Sequence, residues 1–436
     1  MAQFFKAKPK TTSLKRIDDC QVEQLDHHLH GIVRAGRQTY FVPNTLPGER
    51  VNIFPSHKSG PAKLIKRLKD SAQRISPICQ FYQQCGGCSV QHLDAATQRQ
   101  YKQRAVAQLI SRLSGYPEMT ALELLSGDDW HYRRVTRLST WYDKSLGWQL
   151  GFRQKGSQQL VTISDCLVLS KNLSVLLEPL QALLKGWPKN VGLGHVELID
   201  CEPKVVCRVR LTKPLAAKWQ TQLQAIAERF NFAMLLTEAE QHTWLTGEQA
   251  YYTLHDQQLD LAFHPGDFIQ VNVTINQLMI NKALAWLKLK PQDVVLDLYS
   301  GIGNFSLPLA QRAKQVIAIE GVPAMSQRVM DNAKRNGLMN ISAYCGDLEQ
   351  PETAKFWQSR AVTKVLLDPA RAGAKQAITQ VAKLGLSTVV YVSCNPATLA
   401  RDAKVLKEAG YKMVKLAVVD MFPQTEHIET MALFER

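Results

Sequence analysis

Residues Val294-Val295-Leu296-Asp297-Leu298-Tyr299-Ser300-Gly301-Ile302-Gly303-Asn304-Phe305 decide the fold class of this 436-residue chain. The apolar run ending in glycines reads as a buried strand, a tight turn that lets a ligand approach the backbone, and the start of a helix. One strand and helix later, Ile317-Ala318-Ile319-Glu320 ends in an acid placed to accept hydrogen bonds from ribose hydroxyls. The turn reads Asp-x-x-x-Gly-x-Gly with no following Lys-Ser/Thr, so it is neither a phosphate loop nor the Gly-x-Gly-x-x-Gly of a dinucleotide dehydrogenase. Outward from it, beyond Pro265, apolar runs at 316–319, 341–344, 365–368 and 388–393 alternate with helical patterns at 323–336 and 396–408. That rhythm predicts parallel strands with crossover helices. Residues 413–422 and 430–434 predict two final strands, joined by a loop holding Pro423, Gln424, His427 and Glu429.

The strand expected at 388–393 runs into Ser393-Cys394-Asn395-Pro396, so Cys394 emerges at the carboxyl edge of the sheet, where ligands bind in such folds. A cysteine after an apolar strand is, taken alone, more often inert core. Here Asn395-Pro396 forces a turn, and the N–H groups opening the next helix stabilise a thiolate. A second group, Cys79-x5-Cys85-x2-Cys88, is a four-thiolate site lacking its last ligand. Zinc and iron–sulfur clusters both accept four cysteines, and the spacing does not choose between them. Nine cysteines in a chain without an export signal read as thiols, metal ligands or catalytic groups before disulfides.

Length implies several domains. No apolar window is long enough for a membrane span, and the start, MAQFFKAKPK, has no apolar signal core, so a cytoplasmic protein is expected. The net charge of +15 points to a polyanionic partner, and residues 1–78 hold 14 basic against 6 acidic side chains, more than half of the excess. Short strand-like runs at 21–25, 31–34, 39–42, 50–54 and 62–68 predict a small all-β barrel there. A polar helix is expected at 94–113. Between 130 and 137, Trp130-His-Tyr-Arg133-Arg134-Val-Thr-Arg137 interleaves aromatics with bases, which suits RNA and equally a sheet edge with solvated arginines.

Several resemblances go further. Phe41-Val42-Pro43-Asn44-Thr45-Leu46-Pro47-Gly48-Glu49 resembles the hallmark of the TRAM domain, an oligonucleotide-binding-type barrel, and the glycine turn resembles that of S-adenosylmethionine methyltransferases. Ser393-Cys394-Asn395-Pro396 with Thr398, Arg401 and Asp402, Asp368-Pro369-Ala370-Arg371-Ala372-Gly373, Pro423 through Glu429, and Phe268-Ile269-Gln270-Val271-Asn272 together look like the RNA uracil-5-methyltransferase family. Many members carry Asp-Pro-Pro-Arg where this chain has Asp-Pro-Ala-Arg. The resemblance implies that Cys394 is a nucleophile adding to carbon 6 of uracil and Glu429 the base that later removes the carbon 5 proton. His427 is the lesser candidate for that base. It also implies that Gln270, Tyr299, Asn304, Glu320, Asp347 and Asp368 contact S-adenosylmethionine. By resemblance to the 23S ribosomal RNA branch, Cys79, Cys85, Cys88 and Cys166 hold a [4Fe-4S] cluster, structural in role, while Cys20, Cys201, Cys207 and Cys345 are assigned to packing.

The expected architecture is multidomain. An OB-like TRAM barrel (11–71) precedes a central α+β region with the four-cysteine site (72–96 and 129–266) and a Rossmann-like α/β methyltransferase domain (97–128 and 267–436). The implied function is methylation of carbon 5 of a uridine in 23S rRNA by a monomer without an obligate protein partner. A tRNA uracil-5-methyltransferase and a non-catalytic ribosome-assembly factor are the rivals. The tRNA relatives typically lack the barrel and the cluster cysteines, and loss of Cys394 or Glu429 would have signalled the inactive factor.

Overall fold

The computed structural model describes residues 15–56, 60–119, 122–239 and 241–436. Lys6, Lys8, Lys10 and Lys58, counted above in the basic N-terminal region, lie outside the described residues, as does the start of the expected barrel span. Packing divides the chain into two compact units, residues 1–77 with 89–105, and 78–88 with 106–436.

In the first unit five antiparallel strands run in the order Gln38–Val42, Gly31–Ala35, Ile17–Leu25, Arg50–Phe54, Lys63–Lys69. Register shifts in the central strand bend it. Ala62 N donates to Phe41 O at 2.8 Å, drawing the two outer strands together. Alternate residues Val22, Val33, Val42, Val51 and Ile53 point inward as a small core. The Pro43–Glu49 stretch acts as a plug: Glu49, fully buried, accepts from Leu46 N (2.9 Å) and is clasped by Arg74 through Nε (2.5 Å) and Nη2 (3.0 Å). Gly31 is required beside it, since a Cβ there would meet Thr45 Oγ1 at 2.1 Å. Residues 89–105 also pack with this unit. The reason is local pairing: Ile75 N donates to His92 O, and Arg74 bridges Leu93.

The second unit contains two large sheets. Seven strands order as Gln241–Thr246, Ala233–Glu238, Val206–Leu211, Leu193–Ile199, Val135–Asp143, Gly147–Arg153, Leu160–Thr162. Helices Leu177–Lys185 and Ala217–Arg229 cover this sheet through Leu177, Leu180, Leu184, Leu223 and Ala227. The cysteine-rich loop is stitched to it by Gly86 N on Arg153 O (2.9 Å) and Lys155 N on Gln84 O (2.8 Å).

The other sheet is built from β1 (Val294–Leu298), β2 (Gln315–Glu320), β3 (Ile341–Cys345), β4 (Lys364–Leu367), β5 (Thr388–Ser393), β6 (Lys412–Val419) and β7 (Glu429–Glu435). Its order is β3-β2-β1-β4-β5-β7-β6, and the short strand Glu123–Leu125 adds to β6. The first five are parallel, as the alternation predicts, with β7 antiparallel between β5 and β6. Buried on both faces, β1, β4 and β5 are largely apolar, with Asp297 a buried acid within β1. One of the four cysteines assigned to packing departs from that expectation. Cys345 is exposed because it ends the edge strand β3; half-buried Cys201 packs against the core, and Cys20 and Cys207 are buried.

Candidate active site

The parallel strands end together, and their carboxyl edge is where the sequence motifs meet. After β1 the chain turns sharply at Tyr299, whose φ of 64° is left-handed, and continues through Gly301 and Gly303. A Cβ on Gly303 would meet Leu307 Cδ1 at 2.4 Å, so the turn admits no side chain there. Glu320 closes this turn, accepting from Gly301 N (2.9 Å) with one oxygen and Val322 N (3.0 Å) with the other. Each oxygen keeps a lone pair for a further donor. Asp347, exposed beyond β3, folds its carboxylate back on Glu349 N (3.0 Å), and Tyr299 OH reaches Glu349 (3.4 Å). Burial and the Glu349 carboxylate hold the Tyr299 phenol protonated, with Asp402 and Asp347 adding to the effect.

On the other side of the turn Asn304 is held by three hydrogen bonds that leave one of its amide N–H donors for a further acceptor. Its Oδ1 accepts from Tyr252 OH (3.0 Å) and Asn276 (2.9 Å), and its Nδ2 donates back to Asn276 (2.8 Å). The Gln270 carbonyl accepts from Arg134 Nε (2.7 Å), and the Arg134 guanidinium lies 4.3 Å over the Tyr252 ring. Gln270 is itself buried. Asn272, two residues on, caps helix Val273–Leu287 by accepting from Ile275 N (3.2 Å) and donates to Met421 O (3.4 Å).

Cys394, Glu429, Asp368 and Arg371 form one electrostatic group. Burial, then the Glu429 and Asp368 carboxylates, push the Cys394 thiol up to about 11, while Arg371 pulls it down. Antiparallel pairing of Ser393 with Thr430 sets Glu429 beside the end of β5. The Glu429 carboxyl is raised to about 8, by burial first and Asp368 second, and its Oε2 has no hydrogen-bond partner. Burial alone lifts Asp368 to about 7. Asp297, under the glycine turn, is likewise lifted to about 7 by burial, partly opposed by the hydrogen bond from Ser306. His427 Nδ1 lies 3.3 Å from Arg371 Nη2. Because a guanidinium only donates, that nitrogen is an acceptor, which suits a loop-orienting role better than that of the base.

Behind the nucleophile, Asn395 caps helix Pro396–Glu408, its side chain accepting from Ala397 N (3.1 Å) and donating to Arg371 O (3.3 Å). Buried Asp402 accepts from Ala374 N (2.7 Å) and Tyr391 OH (2.7 Å) and pairs with Arg401. The structure therefore ties the Asp368–Gly373 loop to the cysteine strand through a carboxylate the motif reading left without a role. Arg134, Tyr252 and Asn276 were also missed, and only Arg134 had a signal, in the aromatic and basic stretch.

The four cysteines Cys79, Cys85, Cys88 and Cys166 all lie in the second unit. Cys85 feels the charge of Cys79, and Cys166 that of Cys85 and Cys79, while burial lifts Cys166 to about 11. Among the described residues no three His, Cys, Asp or Glu side chains converge closely enough to hold a metal ion.

A family model described as tRNA (Uracil-5-)-methyltransferase matches residues 94–350 and 352–436. The chain belongs to this uracil-5-methyltransferase family. The chain is 43% identical over 443 residues to the 23S rRNA (uracil(1939)-C(5))-methyltransferase RlmD of Shewanella halifaxensis (strain HAW-EB4), covering 100% of this chain and 99% of the relative. A second relative of the same description, from Shewanella sp. (strain ANA-3), is 43% identical over 449 residues with the same coverage. Among solved structures, Pyrococcus abyssi tRNA (uracil-54, C5)-methyltransferase in complex with S-adenosyl-L-homocysteine superposes with a TM-score of 0.74 at 20% identity, over 95% of this chain and 99% of that one. That likeness is one of fold.

Proposed function

We propose that this protein methylates carbon 5 of a uridine in 23S ribosomal RNA, the reaction named for its full-length Shewanella relatives. The observation that carries the reading is the grouping of Cys394, Glu429 and Asp368 at the end of β5. Bound S-adenosylmethionine would supply the electrophilic methyl group, held by Gln270, Tyr299, Asn304, Glu320, Asp347 and Asp368. Glu320 and the glycine turn suit ribose hydroxyls, and Asp368 places negative charge near a sulfonium.

Cys394 as thiolate adds to carbon 6 of the unstacked uracil, which turns carbon 5 into a nucleophile. Once carbon 5 bears both methyl and hydrogen, Glu429 takes that proton, the 5,6 double bond re-forms, and the cysteine leaves as thiolate. Arg371 favours the ionised thiol and, through His427, steadies the loop carrying Glu429. In this reading the barrel (11–71) grips RNA, residues 72–96 and 129–266 form the central domain, and 97–128 with 267–436 form the catalytic one. The all-sulfur set Cys79, Cys85, Cys88 and Cys166 would hold a [4Fe-4S] cluster fastening the 78–88 loop to the segment at Cys166. Iron and acid-labile sulfide in anaerobically purified protein, lost in Cys166→Ser, check that assignment.

The deciding experiment incubates the protein with 23S rRNA and with tRNA carrying 5-fluorouridine. A covalent adduct on 23S rRNA, absent in Cys394→Ala, is the expected result. An adduct on tRNA alone overturns the substrate, and no adduct on either overturns the enzyme.

A further inference from the structure

A cavity of about 280 Å³ opens in the second unit, and its walls include neither Cys394, Glu429 nor any of the six cofactor candidates. Arg134, Ser170, Asp200, Glu202 and Tyr132 line it. Arg134 is 4% exposed, and although its Nε holds the Gln270 carbonyl, its Nη2 has no hydrogen-bond partner. Ser170 Oγ is buried and equally unpartnered. Asp200 accepts from Asn172 (3.1 Å), whereas half-buried Glu202 takes no hydrogen bond from another side chain among the described residues, its own amide donating to Tyr251 O (2.9 Å). Unmet donors and a desolvated carboxylate on one wall describe a site built for a ligand bearing both kinds of group, since burying such groups unpaired is costly.

The charges narrow the ligand. Three carboxylates, Asp128, Asp200 and Glu202, face the space against one guanidinium, which disfavours a phosphate. The acids do not converge on a metal-sized point. Pockets for drug-sized ligands begin at about 300 Å³, so this one suits a single small heterocycle. What remains is a neutral, planar group with an amine to give and a ring acceptor to offer.

Position links the cavity to the reaction. Tyr132, on its wall, donates its hydroxyl to Pro423 O (2.9 Å), at the head of the loop that leads to Glu429. Val273 and Thr274, also on the wall, follow Asn272, which holds Met421 O. An RNA that delivers a uridine to Cys394 is locally unstacked, and its neighbouring bases are free to enter pockets of their own.

We propose that this cavity binds an unstacked, amino-bearing base (adenine, cytosine or guanine) of the same RNA whose uridine is methylated. Glu202 and Asp200 accept from its exocyclic amine, while Arg134 and Ser170 donate to its ring acceptor. The inference rests on the RNA-methylating reading above.

The test uses the full-length protein and a 23S rRNA fragment containing the target uridine. Bases around that uridine are replaced singly by analogues without the amine: purine riboside for adenosine, inosine for guanosine, pyrimidin-2-one riboside for cytidine. Affinity and methyl transfer are measured for the wild type, Glu202→Gln and Asp200→Asn. At one position the analogue weakens wild-type binding about tenfold, as loss of a hydrogen bond to a charged group does, with kcat at saturating RNA unchanged. Glu202→Gln binds the parent RNA correspondingly weakly and is indifferent to the analogue there. Uniform affinity across all analogues, or losses that multiply in the variant, overturns the proposal while methylation of the parent fragment leaves the substrate reading standing. No methyl transfer by the wild type overturns both.

Discussion

Glu429 is a carboxyl group with little to stabilise its charge: it is 7% exposed, one oxygen is unpaired, and the charge that acts on it is that of another acid, Asp368. Together with Asp297 and Asp368 it is protonated in the folded chain well above the pH at which a free carboxyl ionises, near about 4. The folded state then binds more protons than the unfolded one. The stability that their neutral forms permit is complete below about pH 4 and is lost as pH rises through the folded values of about 7 and about 8. Glu429→Gln, which cannot ionise, should therefore melt above the parent at alkaline pH and level with it at about pH 4. Calorimetry at the two pH values checks this, and equal differences at both would mean that Glu429 is not the titrating group. The same substitution should trap the methylated RNA as a covalent adduct, because addition and methyl transfer precede the proton removal it blocks. Denaturing electrophoresis reads the adduct directly, and free turnover would remove Glu429 from its role. Cys394→Ala should abolish turnover and leave S-adenosylmethionine affinity near that of the parent, as measured by calorimetric titration.

At the scale of elements, the cleft is held by cross-ties between segments that end at the same sheet edge. Helix Pro396–Glu408 supplies two of them: Asn395 at its cap reaches Arg371 O, and Asp402 within its second turn holds both Ala374 N and the Tyr391 hydroxyl. Removing the Asp402 carboxylate leaves a buried amide and a buried hydroxyl unpaired, whereas removing the Tyr391 hydroxyl leaves the carboxylate its other donors. Asp402→Ala should thus destabilise the second unit by roughly 2–4 kcal/mol and Tyr391→Phe by about 1 kcal/mol, in urea unfolding followed by near-ultraviolet circular dichroism. Equal costs for the two would mean that Asp402 does not tie the loop.

For the whole molecule, charge is the organising quantity. The strand Lys63–Lys69 of the first unit carries Lys63, Lys66, Arg67 and Lys69, with Phe41 exposed on Gln38–Val42. If these bases neutralise RNA phosphates, replacing all four by glutamine should weaken RNA binding and lower the slope of log affinity against log salt by about 3, while kcat at saturating RNA stays put. An unchanged slope would place the phosphate contacts elsewhere. No helix among the described residues is long and apolar enough to cross a membrane.

What could be read in the chain alone was whatever depends on near neighbours. The strand, glycine turn and acid of 294–320, the cysteine issuing from 388–393 into an Asn-Pro turn, and the expected helices at 94–113, 323–336 and 396–408 follow from hydrophobic period and turn chemistry, and the elements lie at these places. Only the tertiary structure decided what is distant. It slots β7 antiparallel between β5 and β6, bringing Thr430 onto Ser393 across 37 positions, and it sets Arg134 on the Gln270 carbonyl across 136. It also decided the acidities of Asp297, Asp368, Cys394 and Glu429, since a pKa moved by burial is a property of what surrounds a group once the chain has packed, and no residue carries that in its own name.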